Sequence, residues 1–335
     1  MPMTARVGIR TLVPRIALVA LAVASTTSPI GCSRSKPLQP NRANVASSYS
    51  DPAWNPDGTG IVFDHEPLVR VYTDPADGRF VQVFADSLLG VWTAKPDGSG
   101  ERRLLPYYIW EPDWDSAGAT LACQIGGNIF TIARSDTGLA SETARQITAE
   151  PVGTYAPTWS PNGLFLAYSV HVEPEAGVYV IPKEGGASRR IASEWYHPDW
   201  SPRGDSLVFL VPKVDRTEIA VADTSSQGLR VLWGQPESSA RYPRWSPDGS
   251  KIAFTGRSNN AESIWRLWVM DATGANAHPL TSEGTLEFFS WSPNSQEIVY
   301  VRFNLGDTSL MNGTIWIVNA VSGVKRQVTF NHPSG

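Results

Sequence analysis

The sequence predicts an all-β protein built from repeated four-stranded units, and three observations support this prediction. Charged residues make up only 18% of the 335 residues, whereas 28 Gly, 26 Pro and 13 Trp are present. This balance is typical of many short strands joined by tight turns. The second observation is the stretch "YPRWSPDGSKIAF" at 242–254, which combines a Trp, a Pro-Asp-Gly turn and an apolar run. The third is that this phrase recurs along the chain.

The phrase occurs six times, and the spacing of its copies indicates the architecture. Successive copies lie 41 to 60 residues apart, a period that predicts one four-stranded propeller blade for each copy. We therefore predict a six-bladed β-propeller with four antiparallel strands per blade, occupying residues 48–335. Each copy has one anchor tryptophan, and these are Trp54, Trp114, Trp159, Trp200, Trp245 and Trp291.

Each copy of the phrase predicts the two innermost strands of a blade. The anchor tryptophan ends the first strand, and the turn residues after it allow a tight hairpin. Apolar residues seven and nine positions after each anchor share one face of the second strand, where we expect them to pack against the neighbouring blade. Cys123 occupies one of these positions and is predicted to be a buried core thiol. The twelve positions are Ile61, Phe63, Leu121, Cys123, Leu166, Tyr168, Leu207, Phe209, Ile252, Phe254, Ile298 and Tyr300.

The two outer strands of each blade follow in a regular order. Third strands are predicted at "GVWTA", "NIFTI", "VYVIP", "EIAVA", "LWVMD" and "TIWIV". Fourth strands are predicted at "RRLLP", "RQITA", "RRIAS", "RVLWG", "HPLTS" and "RQVTF". The arginine pairs Arg102, Arg103 and Arg189, Arg190 open two of these outermost strands, where charge protects an exposed sheet edge.

Two further features concern the first blade. Between Leu68 and Ala85, two alternating runs flank Asp-Pro-Ala-Asp-Gly, which predicts an extra hairpin on this blade. For ring closure, we expect blade one to be complete in itself. The alternative is that residues 40–50 lend a strand to blade six.

The first 31 residues differ from the rest of the chain. Three arginines precede the apolar run "IALVALAVA", which is too short to span a bilayer as a helix and is typical of a signal peptide. "SPIGCSRSK" resembles the lipobox of bacterial lipoproteins, which implies a signal peptide at 1–31, lipidation of Cys32 and a location in the periplasm or on the periplasmic side of the outer membrane. The alternative is cleavage after Ala24 with Cys32 left as a free thiol. Residues 32–47 are predicted to be a flexible tether.

Several function classes lack support in the sequence. The formal net charge of −4 argues against nucleic acid as a partner. There is no G-x-S-x-G elbow and no phosphate loop, and the five histidines lack metal-site spacing. His171, Glu173 and Glu175 share one loop, which we interpret as solvated. We therefore predict no enzyme activity, no cofactor and no metal site.

The segments that connect successive blades suggest a binding surface. Each of "PYYIWEP", "AEPVGTYAP", "SEWYHP", "GQPESSARYP" and "SEGTLEFF" contains a Glu and at least one aromatic residue. We expect these side chains to surround the mouth of the central channel, where rings and carboxylates suit a peptide that bears Lys or Arg, or a sugar stacked on the rings. The alternative is that the rings only wedge the blades together. The candidate residues are Trp110, Glu111, Tyr155, Glu194, Tyr196, His197, Tyr242, Glu287 and Phe288.

The repeated phrase resembles the TolB-type, WD-like (PD40-type) β-propeller repeat, whose pattern reads P-x-W-S-P-D-G-x-x-I-A-F. The resemblance covers residues 48 to about 330 and implies a TolB-like propeller fold. Together with the lipobox-like stretch and the residues of the channel mouth, it leads us to expect a lipid-anchored, non-enzymatic protein that binds an envelope protein or peptide. The membrane would be contacted through the lipid anchor only. Related propellers in oligosaccharide lyases imply the alternative of a glycan-binding protein or a metal-dependent lyase. A tether stands where TolB has an α/β domain.

Overall fold

The structure is a computed structural model, and it shows a six-bladed β-propeller. It describes residues 46–73, 80–84, 89–149, 153–193, 195–225, 228–235, 238–258, 264–303 and 313–329. These residues form six antiparallel sheets, one for each copy of the repeated phrase. The predicted fold class is therefore confirmed. In the described part of the chain, no helix has the length and apolar character needed to cross a membrane.

The first three blades contain strands β1–β14. Blade one has β1 (Ala46–Trp54), β2 (Ile61–Thr73), β3 (Phe80–Phe84), β4 (Gly90–Ala94) and β5 (Arg102–Leu105). Blade two has β6 (Trp110–Trp114), β7 (Thr120–Ile125), β8 (Asn128–Ser135), β9 (Gly138–Leu139), a 3-10 turn (Ser141–Thr143) and β10 (Arg145–Gln146). Blade three has β11 (Thr154–Trp159), β12 (Phe165–Val170), β13 (Gly177–Pro182) and β14 (Arg189–Ser193).

The last three blades contain strands β15–β26. Blade four has β15 (Tyr196–Trp200), β16 (Ser206–Pro212), β17 (Thr217–Asp223) and β18 (Arg230–Trp233). Blade five has β19 (Ser238–Trp245), β20 (Lys251–Ser258), β21 (Arg266–Asp271) and β22 (His278–Pro279). Blade six has β23 (Thr285–Trp291), β24 (Glu297–Phe303), β25 (Gly313–Asn319) and β26 (Lys325–Gln327).

Blade one carries the additional hairpin that the sequence predicts. Strand β2 runs on past its blade and pairs with β3, from Leu68 opposite Phe84 to Thr73 opposite Phe80. The turn residues 74–79 lie outside the described part of the chain. A smaller addition, β9, pairs with β8 in blade two.

The seams between blades are built from the predicted apolar positions. All twelve side chains seven and nine residues after the anchors are at most 1% exposed. Phe209 of blade four packs with Ala167 and Val178 of blade three, so these positions face the preceding blade. Cys123 lies in the seam between blades one and two, where burial raises the pKa of its thiol. The core of this protein is thus divided among the seams.

The anchor tryptophans also pack in the seams, close to the turn that reverses the chain. Five of them are 6–9% exposed, and Trp245 is half-buried. In the turn that follows Trp245, Asp248 Oδ1 accepts hydrogen bonds from the backbone N–H of Ser250 at 2.9 Å and from Ser246 Oγ at 2.6 Å. Gly249 has φ of 71°, a conformation that glycine adopts without steric cost. The turn chemistry is therefore as predicted.

The ring closes between blades six and one without a shared sheet. Blade one has its own inner strand β1, and blade six has its own four strands. Phe63 packs against Val299 and Ile317 across this seam, and the backbone N–H of Trp54 donates to Ser290 Oγ at 3.2 Å. The expectation that blade one is complete in itself is confirmed, and the alternative of a lent strand is wrong. Strand β1 begins at Ala46, two residues ahead of the predicted start of the propeller.

Arginines on the outermost strands connect neighbouring blades at the rim. Arg102 donates to the carbonyl oxygen of Thr137 at 2.5 Å, and Arg189 donates to that of Thr224 at 3.3 Å. In both cases the acceptor belongs to the next blade. These side chains therefore join blades as well as protecting the sheet edge.

Candidate functional site

The candidate site lies where the six innermost strands begin. These strands contact one another around the ring, in the order β1, β6, β11, β15, β19 and β23. Each shows a shift of register just before its anchor tryptophan. Such a shift marks a β-bulge, which bends the strand and changes the direction of its side chains. The predicted mouth residues all belong to these bulged segments or to the connections that precede them.

Five of the bulges contain a non-glycine residue with positive φ, three positions before the anchor. These residues have φ of 50–53° and are Asp51, Glu111, Ala156, His197 and Tyr242. The left-handed conformation costs a side chain roughly 1–2 kcal/mol. Hydrogen bonds between blades offset part of this cost, because Asp51 Oδ1 accepts from the N–H of Glu111 at 3.2 Å and Glu111 Oε2 accepts from the N–H of Ala156. Non-glycine residues with positive φ often cluster at functional sites.

Aromatic rings form a continuous arc across four blades, and we call this set the aromatic arc. The ring of Tyr155 stacks on His171 with centroids 4.6 Å apart. His171 meets Tyr196 edge-on at 4.8 Å and His197 at 5.3 Å. His197 contacts Tyr242 at 4.3 Å, and Tyr242 contacts Phe288 at 4.6 Å. The aromatic arc therefore consists of Tyr155, His171, Tyr196, His197, Tyr242 and Phe288.

Both histidines of the aromatic arc favour the neutral form. Burial lowers the pKa of His197 well below its usual range, and the nearby charges of Arg244 and Arg241 lower it further. The rings around His171 exclude water from part of its imidazole and also lower its pKa. Ser169 Oγ lies 3.0 Å from His171 Nε2 and is its hydrogen-bond partner. The arc therefore presents rings without formal charge at neutral pH.

Charged side chains lie one position before three of the anchors. Asp113 Oδ2 accepts from the N–H of Trp159 and Asp199 Oδ2 from that of Trp245, both at 2.7 Å. Arg244 forms an ion pair with Asp199 at 3.1 Å. Burial raises the pKa of Asp113 to about 6, an effect that Asp199 increases and Arg244 opposes. This cluster joins consecutive blades through the backbone of the anchor residues.

The described part of the mouth also carries cations that the sequence analysis did not single out. Arg241 precedes Tyr242 in β19, and its guanidinium lies over the ring of Trp265, as does that of Arg257. The glutamates of the mouth were predicted from the connections between blades. Arg257 and Trp265 instead flank the connection between the second and third strands of blade five. Their spacing from the anchor could have identified them as neighbours of the mouth.

The predicted site residues fall into three groups. Tyr155, Tyr196, His197, Tyr242 and Phe288 are brought together in the aromatic arc. Two are placed otherwise: Trp110 is half-buried opposite Gln124, and Glu111 is 7% exposed and bonds to the next blade. Glu194, the side chain of Glu287 and Cys32 lie outside the described residues.

Two further observations concern the predictions about a metal site and about the glutamates of the mouth. Across the described ranges, His, Cys, Asp and Glu side chains form no cluster of three or more suited to a metal ion. Glu283, which the sequence places beside the mouth rings, instead accepts from Lys325 Nζ at 2.7 Å and from Tyr300 OH at 2.8 Å. These two donors hold the pKa of Glu283 down at about 2.

Comparison with protein families and curated proteins identifies relatives over much of the chain. The family model described as the TolB beta propeller domain, PD40, matches residues 112–332. An uncharacterized protein of Agrobacterium fabrum is 28% identical over 43% of this chain and 50% of its own length. The Tol-Pal system protein TolB of Anaeromyxobacter dehalogenans is 26% identical over 64% of this chain and 48% of its own length. The chain thus spans about half the length of these curated relatives.

Solved structures share the fold at low sequence identity. TolB from Acinetobacter baumannii superimposes with a TM-score of 0.60 at 15% identity, over 84% of this chain and 79% of that one. An oligogalacturonate lyase in complex with manganese superimposes with a TM-score of 0.50 at 14% identity, over 83% of this chain and 91% of that one. At such identities the likeness shows a shared propeller architecture and leaves the function of the site to its own residues.

Proposed function

The chain belongs to the TolB β-propeller domain family, and from this premise we propose that it is a non-enzymatic binding protein of the bacterial cell envelope. Its partner is a protein segment that binds at the mouth of the propeller. The aromatic arc is the observation that carries the proposal. Five of its six side chains, Tyr155, Tyr196, His197, Tyr242 and Phe288, were candidates from the sequence.

The arrangement of the aromatic arc suits a peptide. Its rings follow one another over blades three to six at centroid distances of 4.3–5.3 Å. Tyr155, Tyr196 and Phe288 are half-buried, so each keeps part of its ring accessible. Aromatic side chains that are fixed by packing and partly exposed supply contact area at low entropic cost, and they dominate many binding interfaces.

We further propose that the protein is exported and anchored by lipid at Cys32, with 1–31 as its signal peptide and 32–47 as its tether. The arginines, the apolar run and the lipobox-like stretch support this proposal. Cys32→Ser should move the protein from the membrane pellet to the soluble fraction after cell lysis. Retention in the pellet at high salt would count against lipidation.

The binding proposal is tested by crosslinking in intact cells of the source bacterium, followed by mass spectrometry. The test variant combines Tyr155→Ala with Phe288→Ala, the two ends of the aromatic arc. The matched control is Phe165→Ala, because Phe165 is 38% exposed at the opposite end of β12. We expect a partner that is recovered with wild type and the control and lost with the double variant. Equal recovery with all three proteins rules out the arc as the binding surface.

A second candidate is an acidic oligosaccharide, which could stack on the same rings while its carboxylates face the arginines near Tyr242. A glycan array with the same variants separates the two. Glycan binding that depends on Tyr155 and Phe288, without a crosslinked protein, favours the sugar. Cleavage of oligogalacturonate that requires a divalent cation would show a lyase.

A further inference from the structure

Three arginines face the seam between blades five and six at its mouth end. Arg257 lies four residues after Ala253 on β20, and Ala253 packs against blade six. Arg241 is paired with Thr255 on the same face. Arg302 follows Tyr300 by two residues on β24, and Tyr300 packs against blade five. Because side chains alternate along a strand, all three point into this seam. We call Arg241, Arg257 and Arg302 the arginine seam.

Tryptophan rings hold these guanidinium groups in place. The Cζ atoms of Arg241 and Arg257 lie 4.4 and 4.8 Å from the ring centroid of Trp265. Arg302 Cζ lies 4.7 Å from the centroid of Trp316. Contact with a ring face orients a guanidinium and leaves its N–H edges available for hydrogen bonds. Two like charges on one indole repel each other, and burial together with the charge of Arg257 lowers the pKa of Arg241.

Two of the three arginines in the arginine seam, Arg257 and Arg302, each have a buried donor atom that the described chain leaves unused. Nε of Arg257 and Nε of Arg302 are buried and have no hydrogen-bond partner among the described residues. Glu283, an acid that borders this seam, is already engaged by Lys325 and Tyr300. Buried cationic donors are costly unless an anion binds to them. Glu262 and Asp307 belong to segments outside the described residues.

We infer that the arginine seam binds carboxylate side chains of an acidic peptide segment in the partner. The inference rests on the proposed function, because Arg241 is adjacent to Tyr242 and so joins the seam to the aromatic arc. A carboxylate matches the planar guanidinium edge in two-point hydrogen bonds. An extended peptide would place an apolar residue on the arc and an acidic residue on the seam. The mouth is therefore selective for acidic segments, opposite to the basic peptide that its glutamates suggest.

The test is selection of heptapeptides from a random display library on the full-length protein. Enriched sequences are compared with the starting library for their content of Asp and Glu. The test variant is Arg257→Gln with Arg302→Gln, and the control is Arg189→Gln on the outermost strand β14. Arg257→Lys with Arg302→Lys keeps the charges and removes the two-point geometry. Circular dichroism and urea unfolding establish that each variant is folded.

We expect acidic peptides to be enriched on wild type and on the Arg189→Gln control. In calorimetric titrations, the best acidic peptide should bind the Gln variant at least tenfold more weakly than it binds wild type. A version of this peptide with Gln and Asn in place of Glu and Asp should bind wild type tenfold more weakly than the original peptide does. The Lys variant should bind the best peptide with an affinity between those of wild type and the Gln variant. If the Gln variant does not fold, the comparison of the Lys variant with wild type provides the test. Affinity should also fall with salt, because the contact is ionic.

Three outcomes overturn the inference, and they separate it from the proposed function. If the enriched peptides are neutral or basic and their binding requires Tyr155 and Phe288, the proposed function stands and an acidic partner is excluded. No enriched peptide, together with no crosslinked protein, contradicts both. If trigalacturonate or inorganic phosphate binds to the arginine seam and no acidic peptides are enriched, the arginines bind a different anion.

Discussion

His65 is the residue whose surroundings most affect how stability depends on pH. It is 7% exposed, stacked on Tyr49 at 4.4 Å and edge-on to Trp92 at 5.4 Å. Neither of its ring nitrogens has a partner among the described residues. Burial lowers the pKa of His65 to about 4, so its imidazole is neutral in the folded protein. A buried neutral histidine opposes folding once the unfolded chain becomes protonated.

We predict that His65→Phe makes the protein less sensitive to acid. Between pH 6.5 and 4 the unfolded chain binds a proton at His65 that the folded chain does not, so wild type loses up to about 3 kcal/mol of stability from this group. Phe keeps the ring contacts and removes the proton. Urea unfolding at pH 7.5 and pH 4.5 measures the loss for each protein. His278→Phe, at an exposed position, is the control, and an equal loss in wild type and His65→Phe contradicts the prediction.

The innermost strand is the element that determines the geometry of the mouth. Its bulge places a residue in the left-handed region at the position that also carries His197 and Tyr242 of the aromatic arc. The bulge is held from outside the strand, as the bond from Ala156 N–H to Glu111 shows. A bulged strand therefore depends on its neighbouring blade for its shape, and changes in one blade should affect the rings of the next.

Ala156 allows the strain in a bulge to be measured. It is 1% exposed with φ of 51°, whereas Ala167 is fully buried within β12 and has no positive φ. Ala167→Gly loses a methyl contact and strand entropy, about 1–2 kcal/mol in total. Ala156→Gly also loses a methyl contact, but it relieves the strain of the left-handed conformation. We therefore expect its free energy of unfolding to stay within about 1 kcal/mol of the wild-type value. Urea unfolding of both variants measures these two losses of stability. Equal losses for Ala156→Gly and Ala167→Gly would mean that the bulge is unstrained.

At the scale of the whole molecule, blade one is held on both sides by equivalent seams. Ile132 of blade two packs against it within the continuous chain, and Ile317 of blade six packs against it where the ring closes. Both side chains are fully buried. The closing seam brings together residues more than 200 positions apart in sequence, such as Trp54 and Ser290, so its formation depends on folding of the entire ring.

We predict that Ile317→Ala and Ile132→Ala destabilise the protein by a similar amount, about 2–5 kcal/mol each, and that both variants still unfold in one transition. The reason is that a closed ring loses all its seams together. Calorimetry and urea unfolding monitored by tryptophan fluorescence provide the measurement. A small effect of Ile317→Ala, or a separate early transition, would indicate that the ring is open at this seam.

The sequence by itself determined the blades of this protein. Anchor tryptophans, turn residues and period-two apolar pairs such as Ile61 and Phe63 act through neighbours in the same blade, so the printed order of residues already contains them. The extra hairpin on β2 follows from the same kind of local signal, whereas the sequence left the closure of the ring open and the structure decided it. The residues of the aromatic arc other than His171 were also found in this way, because they share positions relative to the anchors.

Only the tertiary structure decided how side chains from different blades meet. It places His171 between Tyr155 and His197, directs Glu111 into a buried bond with the next blade, and brings Arg257 and Arg241 onto one tryptophan ring. These contacts depend on bulges and on the packing of strands that are 16 to 45 residues apart in sequence. Backbone strain and contacts through space have no period in the sequence, which is why the arginine seam could not be predicted from it.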